Sequence, residues 1–245
     1  MPEARNDKAW QDDELVGKYL SGVRGAIPLA AEQFSVMLRL LATTDGPIAK
    51  VLDVGCGDGI LAGVVLDAYP QARAVLVDFS HPMLQAARQR FAQRADAVSF
   101  LSLDYANESW AEAVSGQGPY DAVLSGFSIH HQPDPIKRRI YAEILQLLRP
   151  GGWFINIEHV ASGGPTGQRL HDENFIDSLW QAFRSGGQAA TRQEVADIYH
   201  NRQDKLANIL SPVHQQCQWL EEIGFVEVDC YLKIFEIALL AGRKP

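Results

Sequence analysis

Val51-Leu52-Asp53-Val54-Gly55-Cys56-Gly57-Asp58-Gly59 is an apolar segment that ends in alternating glycines. The pattern predicts a buried strand followed by a tight turn into a helix. Glycines at these three positions permit positive φ angles and leave the backbone open to a ligand. A second predicted strand, residues 74–78, ends in Asp78 about 20 residues further on, the spacing at which an acid meets a ribose hydroxyl. Together the turn and the acid indicate an adenosine-binding site.

The composition limits the class of protein. The chain has 245 residues, 47% of them hydrophobic, and a net charge of −8. This length and apolar content suffice for one α/β domain with a small cap. An acidic balance gives no general basic surface for a polyanion, so nucleic acid is not expected as a partner.

Cellular location and thiol chemistry are predicted from the absence of particular signals. Residues 1–8 are polar and charged, and no later apolar run is long enough to cross a bilayer. We therefore expect a cytoplasmic protein without a membrane partner. Cys56, Cys217 and Cys230 show no CxxC spacing, which argues against a structural zinc site or a disulfide framework and favours reduced thiols.

Strand patterns alternate with helical patterns along the chain, which is typical of an α/β fold with a doubly wound, mainly parallel sheet. Further strands are predicted at 98–103, 121–125 and 153–157. Segments 225–231 and 233–241 follow each other almost directly, so we expect them to pair as an antiparallel hairpin that reverses the last strand. Residues 1–45 are interpreted as a helical lid segment. Residues 46–245 then form the main domain, with a helical cap inserted at about 163–212.

Helix starts have local signals as well. Ser80 is expected to cap a helix that has Pro82 in its first turn, and Asp134 to cap a helix that begins with Pro135. Thr191 and Glu194 have the spacing of a capping box, which predicts another helix start inside the cap.

Four motifs follow one another along the chain: Asp53-x-Gly55-x-Gly57-x-Gly59, Asp78-Phe79-Ser80, Leu103-Asp104-Tyr105 and Leu148-Arg149-Pro150-Gly151-Gly152. Their order resembles that of class I S-adenosylmethionine (SAM) dependent methyltransferases. The resemblance implies a Rossmann-like, seven-stranded sheet and SAM as the cofactor. It also implies that the glycine loop lies against the methionine part of SAM, that Asp78 binds both ribose hydroxyls and that Asp104 faces the adenine amino group.

Other residues near the loop are candidate cofactor contacts. We expect Asp53 to hold the loop through hydrogen bonds to backbone amides and to orient the cationic end of the ligand. Arg24 is expected to pair with the methionine carboxylate or with an acidic substrate. Phe79 or Met83 is expected to line the adenine face, and core packing is an equally good account of Met83. The complete predicted set is Tyr19, Arg24, Asp53, Gly55, Cys56, Gly57, Gly59, Asp78, Phe79, Met83, Asp104, Tyr105 and Ser125.

Candidate catalytic residues follow strands four and five, because open α/β sheets bind ligands at the carboxyl ends of their strands. His130 or His131 is the predicted general base for an acceptor that carries a proton, with helix capping as the alternative. Glu158 is predicted to orient the substrate or stabilise charge. Methyl transfer by in-line displacement requires no metal. A metal held jointly by His130, His131, Glu158 and His159 is disfavoured because adjacent side chains rarely aim at one point, so no metal site is predicted.

Three alternatives stay open at the level of sequence. Gly57-Asp58-Gly59-Ile60-Leu61-Ala62 also matches the G-x-G-x-x-A pattern of nicotinamide-dependent oxidoreductases. A catalytically silent SAM-binding protein would share the same loop. The arrangement of Tyr19, Arg24 and Ile27-Pro28 in the N-terminal segment also looks similar to that of carboxy-S-adenosylmethionine synthases. Two positions depart from the pattern of that family. Gly126 stands where the family has an asparagine, and Arg202 or Lys205 only loosely matches its arginine.

The expected function is therefore methyl transfer from SAM to an O, N or S atom of a small-molecule acceptor. Whether the chain acts as a monomer or as a homodimer is left open by the sequence.

Overall fold

A seven-stranded sheet forms the centre of the protein in the computed structural model, which describes residues 5–245. Its order is β3-β2-β1-β4-β5-β7-β6. The neighbouring pairs among β1 to β5 are parallel, and β7 runs antiparallel to both β5 and β6. This confirms the predicted doubly wound sheet with a reversed last strand. The strands are β1 (Lys50–Val54), β2 (Arg73–Asp78), β3 (Val98–Ser102), β4 (Tyr120–Gly126), β5 (Leu148–His159), β6 (Val226–Ile234) and β7 (Ile237–Arg243).

Helices cover both faces of the sheet because successive residues of a strand point to opposite sides. In β1, Val51 packs with the cluster that includes residues of α2, α3 and α4, and Leu52 packs with residues of α5, α6 and α9. The α-helices are α1 (Asp13–Ser21), α2 (Ala30–Leu41), α3 (Ile60–Ala68), α4 (His81–Arg90), α5 (Trp110–Ser115), α6 (Asp134–Leu147), α7 (Pro165–Ser185), α8 (Arg192–His200) and α9 (Val213–Ile223). None of the helices in residues 5–245 is long and apolar enough to cross a bilayer.

The N-terminal segment packs against the cap. Ala26 and Ile27, which precede α2, share an apolar cluster with Phe175 of α7 and with Val195 and Tyr199 of α8. This contact joins two regions that are far apart in sequence. The first four residues of the predicted lid segment lie outside the described range, and the division into lid, main domain and cap stays a prediction.

Local capping follows the sequence in two places and differs in one. Ser80 accepts from the Met83 N–H at the start of α4, and Thr191 with Glu194 forms the predicted capping box of α8. Asp134, however, is the first residue of α6 and not its cap, which is Pro133. The Asp134 carboxylate accepts instead from Lys137 Nζ and from the Ser211 hydroxyl. A hydrogen bond within α6 and a tertiary one from Ser211 therefore take the place of the predicted cap.

Two strand boundaries also differ from the prediction. The turn between β6 and β7 lies at Phe235 and Glu236, three residues beyond the predicted break at Leu232. Leu232 stays in β6 because its side chain packs on the core, and Phe235 makes the turn with a φ of +50° although it is not a usual turn residue. Strand β5 starts at Leu148 and continues to His159, which brings the polar residues after the apolar segment into the sheet.

Candidate active site

A cavity lies where the carboxyl ends of β1, β2, β4 and β5 meet the N-terminal segment and the cap. Parallel strands place their carboxyl ends at one edge of the sheet, so residues from distant parts of the chain meet there. The predicted site residues that line the cavity are Tyr19, Arg24, Asp53, Gly55, Cys56, Gly57, Asp78, Phe79, Met83, Tyr105, His130 and His131.

At two of its three glycines, Gly55 and Gly59, the loop has no room for a side chain. Gly55 has a φ of +66°, and a Cβ atom there would lie 1.9 Å from Ser128 Oγ. Gly59 has a φ of +77°, and its Cβ would lie 2.6 Å from the Phe91 ring. Gly59 is not among the residues that line the cavity. Because Gly59 has no side chain, the loop can pack closely against Phe91 and Leu76, whereas Gly55 and Gly57 line the cavity.

Asp78 ties the loop to the end of β2. One carboxylate oxygen accepts from the Gly57 N–H at 2.8 Å, and the other accepts from the Ser80 N–H at 2.8 Å. Burial raises the pKa of Asp78 to about 6. Each oxygen keeps a further lone pair, so the carboxylate can still accept from two neighbouring hydroxyl groups of a ligand.

Asp53 lies beneath the loop, where it is almost completely buried. Its carboxylate accepts from the Ala62 N–H of α3 at 3.1 Å. Burial, together with the nearby carboxylates Asp78 and Asp58, raises the pKa of Asp53 to about 7. Arg24 lies in the same cavity, with its Nε atom 3.7 Å from Asp58 Oδ1.

Two other predicted cofactor residues lie outside the cavity. Asp104 pairs with Arg5, whose Nη1 atom is 2.5 Å from Asp104 Oδ2, and its other oxygen accepts from the Ala106 N–H. Ser125 is fully buried, and its hydroxyl donates to the Val54 carbonyl oxygen at 2.8 Å. Ser125 therefore joins β4 to β1 and does not reach the ligand space.

The two adjacent histidines have different environments. His131 uses both ring nitrogens: Nε2 accepts from Trp10 Nε1–H at 3.1 Å, and Nδ1–H donates to the Ala207 carbonyl at 3.2 Å. Burial lowers the pKa of His131 to about 3, so its imidazole is neutral near pH 7. These bonds leave His131 with no free ring nitrogen.

His130 instead forms a pair with Glu158, which lies behind it and is fully buried. His130 Nδ1 is 2.6 Å from Glu158 Oε1, and the Glu158 carboxylate also accepts from Asn156 Nδ2 and from the His159 N–H. Burial lowers the pKa of His130 well below its usual value and raises that of Glu158 to about 7. With Nδ1 bound to Glu158, Nε2 is the remaining ring nitrogen of His130, and the Asn208 side chain also hydrogen-bonds this imidazole.

Sequence reasoning missed several residues that line the cavity. Trp10 enters from the N-terminal segment, Asn208 from the connection after α8, and His171 from the first half of α7. His171 is buried in the same stripe of α7 as Phe175 and Leu179. The i, i+4 spacing of His171 and Phe175 was a signal for a shared helix face, but only the packing of α7 shows that this face borders the cavity.

Comparisons with known proteins agree with the fold and the position of the loop. Residues 51–152 match a family model described as a methyltransferase domain. Trans-aconitate 2-methyltransferase from Azoarcus sp. (strain BH72) is 36% identical over 217 residues, which cover 80% of each protein.

Solved structures show the same architecture at low identity. Human N-acetylserotonin methyltransferase in complex with SAM has a TM-score of 0.63 and 15% identity, over 100% of this chain and 60% of that one. An O-methyltransferase family protein from Burkholderia thailandensis has a TM-score of 0.60 and 16% identity, over 98% of this chain and 59% of that one. The chain thus spans about 60% of the length of these two structures.

Nicotinamide-dependent oxidoreductases share the G-x-G-x-x-A turn. However, the family model is that of a methyltransferase domain, and the Azoarcus relative, aligned over 80% of both proteins, is a methyltransferase. The overall fold is also similar to that of the methyltransferase structures named above. With an open glycine loop at β1 and a buried acid at the end of β2, the chain belongs to the class I SAM-dependent methyltransferases and uses SAM as its cofactor.

Proposed function

We propose that this enzyme transfers the methyl group of SAM to an oxygen, nitrogen or sulfur atom of a small molecule, by in-line displacement. One observation carries the proposal: the glycine loop with Asp78 and the cap residues Phe175 and Tyr199 line the same cavity. A cofactor on the loop side and an acceptor on the cap side would therefore share one space. Holding the two reactants at close range and excluding water is the main requirement of this reaction.

His130 is the proposed general base when the attacking atom of the acceptor carries a proton. It lines the cavity, and its Nδ1 atom is held by Glu158, so Nε2 is the nitrogen that would take the proton of the acceptor, in place of the contact with Asn208. His131 is a poorer candidate because Trp10 and Ala207 occupy both of its nitrogens. Glu158 is proposed as a positioning residue that fixes the tautomer of His130.

The cations of the cavity favour an acceptor that carries a negative charge. Arg24, Arg202 and Lys205 line the cavity. Arg202 pairs closely with Asp204, but Arg24 and Lys205 each lie 3.7 Å from their nearest carboxylate oxygen, which is longer than a hydrogen bond. The donors of Arg24 remain for a ligand carboxylate, whereas the Lys205 ammonium also lies 3.6 Å from the centroid of the Tyr199 ring. The relative from Azoarcus is named for trans-aconitate, a small carboxylic acid, which agrees with this choice.

Carboxy-SAM synthesis is the second candidate, because Arg24 and Arg202 both lie where they could meet an added carboxyl group. Gly126 supplies no side chain at the position of the family's asparagine, and a Cβ atom there would lie 2.9 Å from Leu61 Cδ1. The absence of that amide makes methyl transfer the better supported reaction.

Native mass spectrometry of gently purified protein tests the cofactor and the reaction in two stages. Titration with SAM and, separately, with NADH should give an adduct with SAM only. Incubation with isotopically labelled SAM and a panel of small carboxylic acids, phenols, amines and thiols should then give a product heavier by one labelled methyl group. Absence of any methylated product from the panel, with SAM bound, would count against this acceptor class. A retained ligand heavier than SAM by one carboxyl group would support the second candidate instead.

A further inference from the structure

Three potential metal ligands meet at the cap side of the cavity: His159, His171 and Glu236. Each offers one atom that can bind a metal, and these atoms all lie within 4.8 Å of one another. His159 Nε2 is 3.0 Å from Glu236 Oε2. Within residues 5–245, no other group of three histidine, cysteine or acidic side chains has this arrangement.

The fold holds these residues together from distant parts of the chain. His159 is the last residue of β5 and pairs with Ile237 at the start of β7, so the preceding Glu236 is placed beside it. The Val160 N–H donates to the Glu236 carbonyl at 2.7 Å, which fixes this end of the sheet. His171 reaches the same point from the buried stripe of α7, and its ring lies 4.9 Å from that of His159.

His171 has an unsatisfied polar atom in this cluster. The side chain is buried, and its Nδ1 atom has no hydrogen-bond partner among the described residues. Buried imidazole nitrogens are ordinarily bonded, and a bound ion is one of the groups that can satisfy them. The cluster also mixes ligand types suited to one another, because imidazole and carboxylate together bind zinc, iron and related metals.

We propose that His159, His171 and Glu236 bind a divalent transition-metal ion in the wall of the cavity. In a tetrahedral site, neighbouring ligand atoms lie about 3.3 Å apart. The His159–Glu236 separation is already close to that value, and the third ligand atom has to approach by at most about 1.5 Å. Two histidines and one carboxylate leave coordination positions open, which is the arrangement of catalytic metal sites and not of closed structural ones.

Asn208 supplies a second contact that orients one of these ligands. Its Nδ2 atom lies 3.4 Å from Nδ1 of His159, on the side of the ring opposite to Glu236. Rotation of the carboxamide would present its oxygen to Nδ1–H, which fixes the tautomer that leaves Nε2 for the metal. Metal-bound histidines are commonly held by such a partner.

The position of the cluster indicates what a bound ion would do, and this part rests on the proposed function. His159 and His171 both line the cavity that Asp78 and the glycine loop border. An ion there would have its open positions toward the acceptor, where it would bind a carboxylate or hydroxyl oxygen of a small anionic molecule. A metal-bound hydroxyl loses its proton more readily, which favours attack on the methyl group.

Metal binding is tested on the full chain after treatment with a chelator, by titration with Zn²⁺ in a calorimeter and with Co²⁺ by visible absorption. The expected result is one equivalent bound by the wild type, and loss of that binding in His171→Ala and in Glu236→Gln. His214→Ala, on the exposed face of α9, is the matched control and should bind like the wild type. Glu236→Gln preserves the size of the side chain and a contact with His159, so it decides the matter if His171→Ala fails to fold.

No binding by the wild type, or equal affinity in both ligand variants, would overturn the proposal. SAM binding is measured on the same samples. A wild type that binds SAM and methylates an acceptor after chelation, without binding Zn²⁺ or Co²⁺, refutes the metal site and leaves the proposed function standing. A wild type that binds the metal but produces no methylated acceptor refutes the proposed function and retains the site.

Discussion

His130 Nδ1 and Glu158 Oε1 lie 2.6 Å apart, and both side chains are buried at the cavity wall. Because Asn156 and the His159 N–H also donate to Glu158, the carboxylate is held in place and fixes the orientation of the imidazole. The adjacent His131 has no such partner and is bonded at both nitrogens. Two histidines that are equivalent in sequence are therefore unequal in chemistry.

His130→Gln should lower kcat by about 100-fold or more with an acceptor whose attacking atom carries a proton, because the variant removes the proposed base. A carboxylate acceptor, which has no proton to lose, should be methylated at nearly the wild-type rate. Release of S-adenosylhomocysteine measures both. His131→Gln is the matched variant, and an equally large loss of kcat in it would contradict the assignment of His130.

Asp78→Asn should weaken SAM binding by about 10- to 100-fold, since hydrogen bonds to a charged group contribute about 1.5–3 kcal/mol. The amide keeps one acceptor oxygen for the loop, so the fold should be preserved. Isothermal titration calorimetry measures the Kd, with Asp67→Asn on the exposed side of α3 as the control. An unchanged Kd in Asp78→Asn would show that the ribose binds elsewhere.

Asp53→Asn should stabilise the ligand-free protein at pH 8 and have little effect at pH 4. Burial raises the pKa of Asp53 from 3.8 to about 7, so between these values the unfolded chain releases a proton that the folded chain retains. Stability therefore falls as the pH rises through this window. The full difference between these two pKa values corresponds to at most about 4 kcal/mol in the free energy of unfolding.

Denaturant unfolding at several pH values measures this effect. The neighbouring Asp78 also has a raised pKa, so the variant should retain a smaller decrease in stability with pH. If the stability of the variant depended on pH in the same way as that of the wild type, the surroundings of Asp53 would not disfavour its charged form.

Gly55→Ala should destabilise the protein by about 2 kcal/mol or more and abolish tight SAM binding. The residue has a positive φ, and a Cβ atom would collide with Ser128 Oγ at 1.9 Å. Thermal unfolding and SAM titration test this. In the control Gly163→Ala, nothing lies within 4 Å of the added Cβ, so both properties should stay at wild-type values.

The predictions that succeeded from sequence rest on local chemistry. The glycines at 55 and 59 have the positive φ angles expected of the turn, and Ser80 and Thr191 cap their helices through neighbouring backbone amides. The strand pattern also predicted the order of the elements and the reversed β7. Asp134 does not act as the expected cap: its carboxylate accepts from Lys137, one turn along the same helix, and from Ser211, which is distant in sequence.

The sequence could not distinguish residues that contact a ligand from residues that bond to distant parts of the chain. Nothing next to Ser125 indicates that its hydroxyl is bound to Val54, or next to Asp104 that Arg5 pairs with it. From the sequence, a metal site formed by His130, His131, Glu158 and His159 was disfavoured, and no metal site was predicted. The structure brings His159 together with a different pair, which no local spacing could reveal.

The sequence by itself determined the alternation of strands and helices, the glycine turn and the acid that follows it, because hydrophobic periodicity and backbone freedom act over a few residues. Only the tertiary structure decided which histidine pairs with Glu158 and which cap residues border the cavity. It also decided that Glu236 stands beside His159 and His171. Those relationships depend on the register of β5 with β7 and on the packing of α7, which are set by contacts between residues far apart in the chain.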